Sequence, residues 1–145
     1  MAIFPDARTK DRNLNNEQVN TLIDTFSGKQ SIRLISNNNY IINKNKYIIC
    51  EPIISIERSI QIALSSMYVI CADSFMGHLS GLLGIDTVII YNNPKFLQYC
   101  EYWGPPYKNV LHIENESICE INRHFHAFNK QNIDLAGSDI KMLFN

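Results

Sequence analysis

Apolar residues along this chain fall into two patterns. Short, largely apolar runs occur at Met1–Phe4, Ser31–Ser36, Tyr47–Cys50, Tyr68–Ala72, Thr87–Tyr91 and Val110–Ile113. Runs of this length, bounded by polar or turn-forming residues, predict buried strands. Between them lie stretches with helical spacing. Val19, Leu22, Ile23 and Phe26 share one face of a helix over Glu17–Phe26, with Asn15 or Asn16 as its cap and Ser27-Gly28 as its stop. Ser55 caps a second helix over Ile56–Ser66, whose apolar side is formed by Ile56, Ile60, Ala63 and Leu64. A short helix over Phe75–Leu83 ends at Gly84, and Ser117–Asn129 forms a closing helix. Asn37–Lys46 is polar and turn-rich, with a short strand at Tyr40-Ile41-Ile42.

Strands alternating with helices through short connections predict an α/β fold: a Rossmann-like parallel sheet of about six strands with helices on both faces. Thr87–Tyr91 is apolar throughout, as a strand covered on both faces is. Residues 1–130 are expected to form one domain, and 131–145 a tail with weak periodicity. The long segment Asn92–Asn109 is rich in aromatics, including Tyr99, Tyr102, Trp103 and Tyr107. Loops of that length are commonly functional or disordered, and such aromatics more often form a hydrophobic plug over the sheet edge than a stacking surface.

Composition narrows the function. The 145 residues, 46% hydrophobic and 19% charged, are those of a globular chain with its own core. A formal net charge of −1 offers no electrostatic case for nucleic acid or an anionic membrane surface. No apolar stretch approaches the ~20 residues of a membrane span, and no signal peptide is visible. Cys50, Cys71, Cys100 and Cys119 form no C-x-x-C pair, which points to a reduced, cytoplasmic setting. His124 and His126 point to different faces of a helix, so no metal site is assigned.

The chemistry concentrates in two loops. Ligands of doubly wound sheets bind beyond the carboxyl ends of the strands, where strand order reverses. With the order 3-2-1-4-5-6, the first and fourth strands flank that point. The loops leaving them are Pro5–Asn13 and Asp73–His78, which brings Arg8, Lys10 and Arg12 toward Asp73, Ser74 and His78. Ser74 caps the following helix, leaving the N–H groups of Met76 and Gly77 to face a phosphate. Gly77 permits close approach, while Arg8 and Lys10 neutralise a diphosphate. Asp73 accepts hydrogen bonds from sugar hydroxyls, and His78 donates to a phosphate oxygen. Each feature has a plainer reading: an ordinary cap, a packed histidine, a solvated charge cluster. Their convergence is what favours a site.

These residues also resemble a known family. Asp73-Ser74-x-x-x-His78-Leu79-Ser80-Gly81-Leu82-Leu83-Gly84 resembles the D-[ST]-G-x-x-H-[LI]-A-A-A-L-G block of glycosyltransferase family 9, which contains the bacterial heptosyltransferases of lipopolysaccharide core assembly. Phe4-Pro5-Asp6-Ala7-Arg8 with Lys10 is similar to the "hPGAR…K" opening of its C-terminal domain. Ser55–Leu64 is similar to the helix before the fourth strand, and Trp103-Gly104-Pro105-Pro106-Tyr107 to the "GPxG" loop. The resemblance covers residues 1 to 115 in order.

It implies the C-terminal, donor-binding half of a GT-B glycosyltransferase, with a nucleotide-diphosphate sugar as substrate and no cofactor. Lys10 would contact phosphate, Ser74 with the Phe75–Gly77 backbone would hold the diphosphate, Asp73 the sugar, and His78 would support them. The implied partner is an acceptor-domain protein or a homo-oligomer, and the implied location is cytoplasmic, peripheral to the inner membrane. No catalytic residue is assigned, because the family's base lies in the acceptor domain. Phe75 stands where the family has Gly, crowding the diphosphate, and Asp6 replaces the opening Gly, placing a negative charge nearby. Residues 37–46 make a short loop for the family. The alternative is a degenerate, non-catalytic module for protein–protein contact. A different nucleotide enzyme is disfavoured, since neither a P-loop nor G-x-G-x-x-G is present.

Overall fold

The computed structural model describes residues 1–28, 30–42, 48–92 and 104–114. The aromatic residues Tyr99, Tyr102 and Trp103, the expected helix over 117–129, and the tail lie outside the described residues, as do Cys100, Cys119, His124 and His126.

Six parallel strands form one sheet: β1 (Ala2–Phe4), β2 (Ile32–Ile35), β3 (Ile48–Glu51), β4 (Tyr68–Ala72), β5 (Asp86–Tyr91) and β6 (Val110–Glu114). Their spatial order is β3-β2-β1-β4-β5-β6, the expected doubly wound arrangement. Helices α1 (Asn16–Phe26), α2 (Ile56–Leu64) and α3 (Phe75–Leu82) connect them.

Alternation along the strands divides the core into two layers. Ile3, Ile70, Ala72, Val88 and Ile90 point to the face covered by α1, where Val19, Leu22, Ile23 and Phe26 meet them. Phe4, Val69, Cys71, Ile89 and Tyr91 point to the other face, covered by Ile62 and Ala63 of α2 and Met76 of α3. The α1 helix starts with a capping box: Asn15 Oδ1 accepts from Gln18 N at 2.9 Å, and Gln18 Oε1 accepts from Asn15 N at 2.6 Å.

Two local expectations are corrected. Tyr40–Ile42 forms no strand. The Asn16 side chain takes both backbone groups of Ile41, accepting its N–H at 2.7 Å and donating to its carbonyl at 2.9 Å, so the segment needs no strand partner. On α2 the buried side is Ser59, Ile62 and Ala63, while Ile56 and Leu64 are exposed. Arg58 donates to Glu51 at the end of β3 at 2.9 Å, which anchors the flank of the helix toward β3. Ser59 tolerates burial because its hydroxyl donates to the Ser55 carbonyl at 3.0 Å.

Asp6 stays beside the Arg8 loop and the start of α3, as expected, and is also engaged by a neighbouring loop. Its carboxylate turns to the loop after β2 and accepts from Ser36 Oγ (2.6 Å), Asn37 N (3.0 Å), Asn38 Nδ2 (2.7 Å) and Tyr40 Oη (3.1 Å). These four bonds make it a loop clamp. Burial and the Asp6 charge push the Tyr40 hydroxyl well above its usual range. Asp6→Ala strands these donors and is expected to lower stability by about 1–3 kcal/mol in urea unfolding. A loss below about 0.5 kcal/mol would show that water replaces the clamp.

Candidate functional site

The order of strands places the ends of β1 and β4 side by side, with Phe4 opposite Cys71. The loop after β1 folds back on itself: Leu14 N donates to the Pro5 carbonyl at 2.9 Å and Ala7 N to Asn13 Oδ1 at 2.7 Å. A single 3-10 turn, Lys10–Arg12, sits at its tip. Asn92, just beyond β5, bonds to Gln18 and to the Asn13 carbonyl, tying this loop to the same edge of the sheet.

The two loops do meet. Arg12 Nη1 lies 3.2 Å from Asp73 Oδ2, with both side chains about three-quarters buried. Arg12 is thus the basic residue that reaches the acid, and the pair fixes the carboxylate at the mouth of the turn. The position was foreseeable from the loop it shares with Arg8 and Lys10, although its specific role was not. Arg8 and Lys10 are exposed and form no ion pair among the described residues. Arg8 lines a cavity of about 240 Å³ with Asp6, Ser74, Phe75 and Met76; Phe4, Ile53 and Ile56 supply apolar walls.

Ser74 occupies the cap position of α3 in extended conformation, yet its hydroxyl makes no capping bond. The expected cap is therefore absent. The Ser74 oxygen is buried and has no hydrogen-bond partner among the described residues. Such a group costs free energy unless something binds to it. The N–H groups of Phe75 and Met76 have no acceptor among the described residues either, whereas Gly77 N donates to the Ser74 carbonyl at 3.1 Å. The free donors at the positive end of α3 are therefore Phe75 and Met76, one residue earlier than the expected Met76 and Gly77.

Gly77 has a packing role that sequence reasoning did not separate from phosphate approach. A Cβ there would lie 2.4 Å from Ile89 Cδ1, 2.8 Å from Ile89 Cγ1 and 3.4 Å from Cys71 Sγ. Its bare Cα lets α3 sit close on β4 and β5. Gly81 serves likewise one turn on, where a Cβ would meet Val110 and Tyr107.

His78 is exposed on the first turn of α3. A second histidine, His112 on β6, was missed. It lies opposite Ile89 and so faces the α3 side of the sheet. Its Nε2 lies 3.4 Å from the Pro105 carbonyl, which requires hydrogen there, so Nδ1 accepts the Tyr91 hydroxyl at 2.8 Å. Burial holds the imidazole below its usual range, against a smaller opposing effect of the Pro105 carbonyl. The charges of His78 and Asp73 also reach it. Only the parallel register of β5 and β6, invisible in the sequence, puts it here.

A further cavity of about 380 Å³ opens at the ends of β2 and β3, lined by Ser36–Tyr40, Cys50 and Glu51. Glu51 is held by Arg58 at 2.9 Å and Arg33 at 3.7 Å.

No family model matches the sequence, and no curated protein matches it. Solved structures do share the fold. The E. coli heptosyltransferase WaaC with ADP aligns with a TM-score of 0.72 at 13% identity, over 88% of this chain and 43% of that one. WaaC with ADP-2-deoxy-2-fluoro heptose aligns with a TM-score of 0.65 at 14% identity, over 88% of this chain and 42% of that one. The chain thus has a glycosyltransferase-like α/β fold and spans less than half the length of these enzymes. Among the described residues, no helix is long and apolar enough to cross a membrane.

Proposed function

We propose that this chain binds a nucleoside-diphosphate sugar at the carboxyl edge of β1 and β4, as the donor half of a heptosyltransferase-like glycosyltransferase. The observation that carries the reading is the buried, unpartnered Ser74 hydroxyl beside the free N–H groups of Phe75 and Met76, with Arg8 on the same cavity. Three neutral donors and a guanidinium converge where a diphosphate carries its charge, while the Asp6 carboxylate on the same cavity is engaged by four donors of the loop after β2. Lys10, exposed at the loop tip, adds a second cation. Asp73 would repel phosphate, so with Arg12 orienting it, the carboxylate faces the sugar hydroxyls. His78 supports the outer phosphate. The cavity beyond β2 and β3 lies on the side where doubly wound folds place the nucleoside. The solved neighbours, one holding ADP and one an ADP-sugar analogue, accord with this ligand class.

Transfer of the sugar needs a base opposite the leaving diphosphate. In this reading a separate acceptor domain supplies it, and the present residues bind, orient and neutralise. Calorimetry with nucleoside diphosphates and their sugars tests the proposal. Binding in the micromolar to millimolar range is expected, with the diphosphate required. A flat titration at millimolar ligand would end it.

Phe75 favours the second reading, a degenerate module for protein contact, because its exposed ring stands at the first helical position beside the free N–H groups. The readings separate on one variant. If Phe75 merely narrows a working site, Phe75→Gly tightens nucleotide binding by up to about tenfold. If the site has been abandoned, the variant binds no nucleotide either.

A further inference from the structure

The two cavities at the carboxyl edge share a wall, and Asp6 stands in it. Asp6 lines the cavity of about 240 Å³ together with Arg8 and Ser74. The four groups its carboxylate holds are on Ser36, Asn37, Asn38 and Tyr40, which all line the cavity of about 380 Å³. A further bond crosses the same wall. Ile53 N, from the lining of the first cavity, donates at 2.9 Å to Asn37 Oδ1, from the lining of the second. The Tyr40 hydroxyl lies 3.1 Å from Asp6 Oδ1 and 2.9 Å from the Leu14 carbonyl, so both of its acceptors belong to the chain between β1 and α1.

Asn37, Asn38 and Asn39 are exposed, so burial does not fix this stretch. Its placement rests on polar bonds, and Asp6 accepts from every residue of 36–40 except Asn39. A carboxylate on a diphosphate cavity weakens anion binding, because like charges repel. It also offers what a neutral side chain of that size lacks: two oxygens that each accept two donors. Affinity for the anion is thus given up for an ordered wall on the neighbouring cavity. A wall ordered before binding spares the ligand the cost of ordering it.

We propose that Asp6 is a positioning residue that joins the two cavities into one cleft, loosening the hold on a diphosphate and tightening the hold on the nucleoside attached to it. This rests on the donor reading, which puts the diphosphate in the first cavity and the nucleoside in the second.

Calorimetry at one fixed salt concentration tests it by comparing ADP with inorganic pyrophosphate, which fills the diphosphate subsite alone. The unaltered chain is expected to prefer ADP. In Asp6→Ala, pyrophosphate should bind about threefold tighter or more, while the preference for ADP over pyrophosphate falls by about tenfold. Ser36→Ala removes the shortest of the four bonds, at 2.6 Å, keeps the charge, and decides the matter if Asp6→Ala does not fold. Its affinity for pyrophosphate should be unchanged and its preference for ADP reduced by about threefold or more. A merely structural loss weakens both ligands together. An unaltered preference in either folded variant therefore overturns the proposal, as does weaker pyrophosphate binding in Asp6→Ala. An unaltered chain that binds pyrophosphate as tightly as ADP overturns it too, while leaving the diphosphate site standing. If the unaltered chain binds neither ligand, the donor reading falls and the role of Asp6 falls with it.

Discussion

Gly77→Ala is expected to destabilise the protein by about 1–2 kcal/mol, although alanine is the better helix former. Propensity alone favours the substitution by about 1 kcal/mol. Packing opposes it. The new Cβ would fall 2.4 Å from Ile89 Cδ1 and 2.8 Å from Cγ1. Ile89 is 2% exposed and Cys71 fully buried, so the isoleucine has no open space to swing into. Overpacking of this kind costs about 1–3 kcal/mol, which outweighs the gain. For a chain of this size the loss lowers the melting temperature by about 3–6 °C. Ile89→Val removes the nearest clashing carbon. The double variant should therefore be more stable than the sum of the two single changes predicts, a coupling of at least about 0.5 kcal/mol. Additive effects would mean that α3 simply lifts away. Gly81→Ala is expected to cost less, because Tyr107, one of the residues it meets, is partly exposed and can yield.

Ser74→Ala is expected to act with opposite signs on the empty and the liganded protein. Loss of an ordinary helix-capping serine costs about 1 kcal/mol. Here the hydroxyl makes no capping bond and is buried without a partner, so its removal should leave stability unchanged or raise it by up to about 1 kcal/mol. Binding should suffer instead. A hydroxyl donating to a charged phosphate oxygen contributes about 1.5–3 kcal/mol, which corresponds to roughly tenfold to hundredfold in affinity. Thermal melting with and without a nucleoside diphosphate reads both effects in one experiment. A destabilised empty protein with unaltered affinity would return Ser74 to the role of a plain cap.

Much of the architecture was legible because its signals are local or governed by topology. The capping box of Asn15 and Gln18 and the regular spacing of Val19, Leu22, Ile23 and Phe26 specify α1 and its buried face. The order of strands and helices specifies the sheet, and the sheet brings Arg12 to Asp73 across sixty-one positions of sequence. What stayed hidden depends on long-range partners. The expected apolar side of α2 is only partly buried: Ala63 is in the core and Ile60 partly covered, whereas Ile56 and Leu64 are exposed. Asp6 does line the candidate cavity, as its place in the loop implied; its second role stayed hidden, because nothing in the sequence shows the loop after β2 folding onto it. His112 depends on strand register. Ser74 was read as a cap, as serine before a helix usually is; only atomic geometry shows that its hydroxyl makes no capping bond.

The central claim is that the start of α3 and the loop after β1 form one diphosphate site. An amide-resolved NMR titration of the labelled chain with ADP tests it most directly. Saturable shifts are expected at the backbone amides of Ser74, Phe75 and Met76, together with Arg8 and its neighbours, and are lost in Ser74→Ala. Absence of shifts at millimolar ADP, or shifts confined to other parts of the surface, would contradict it.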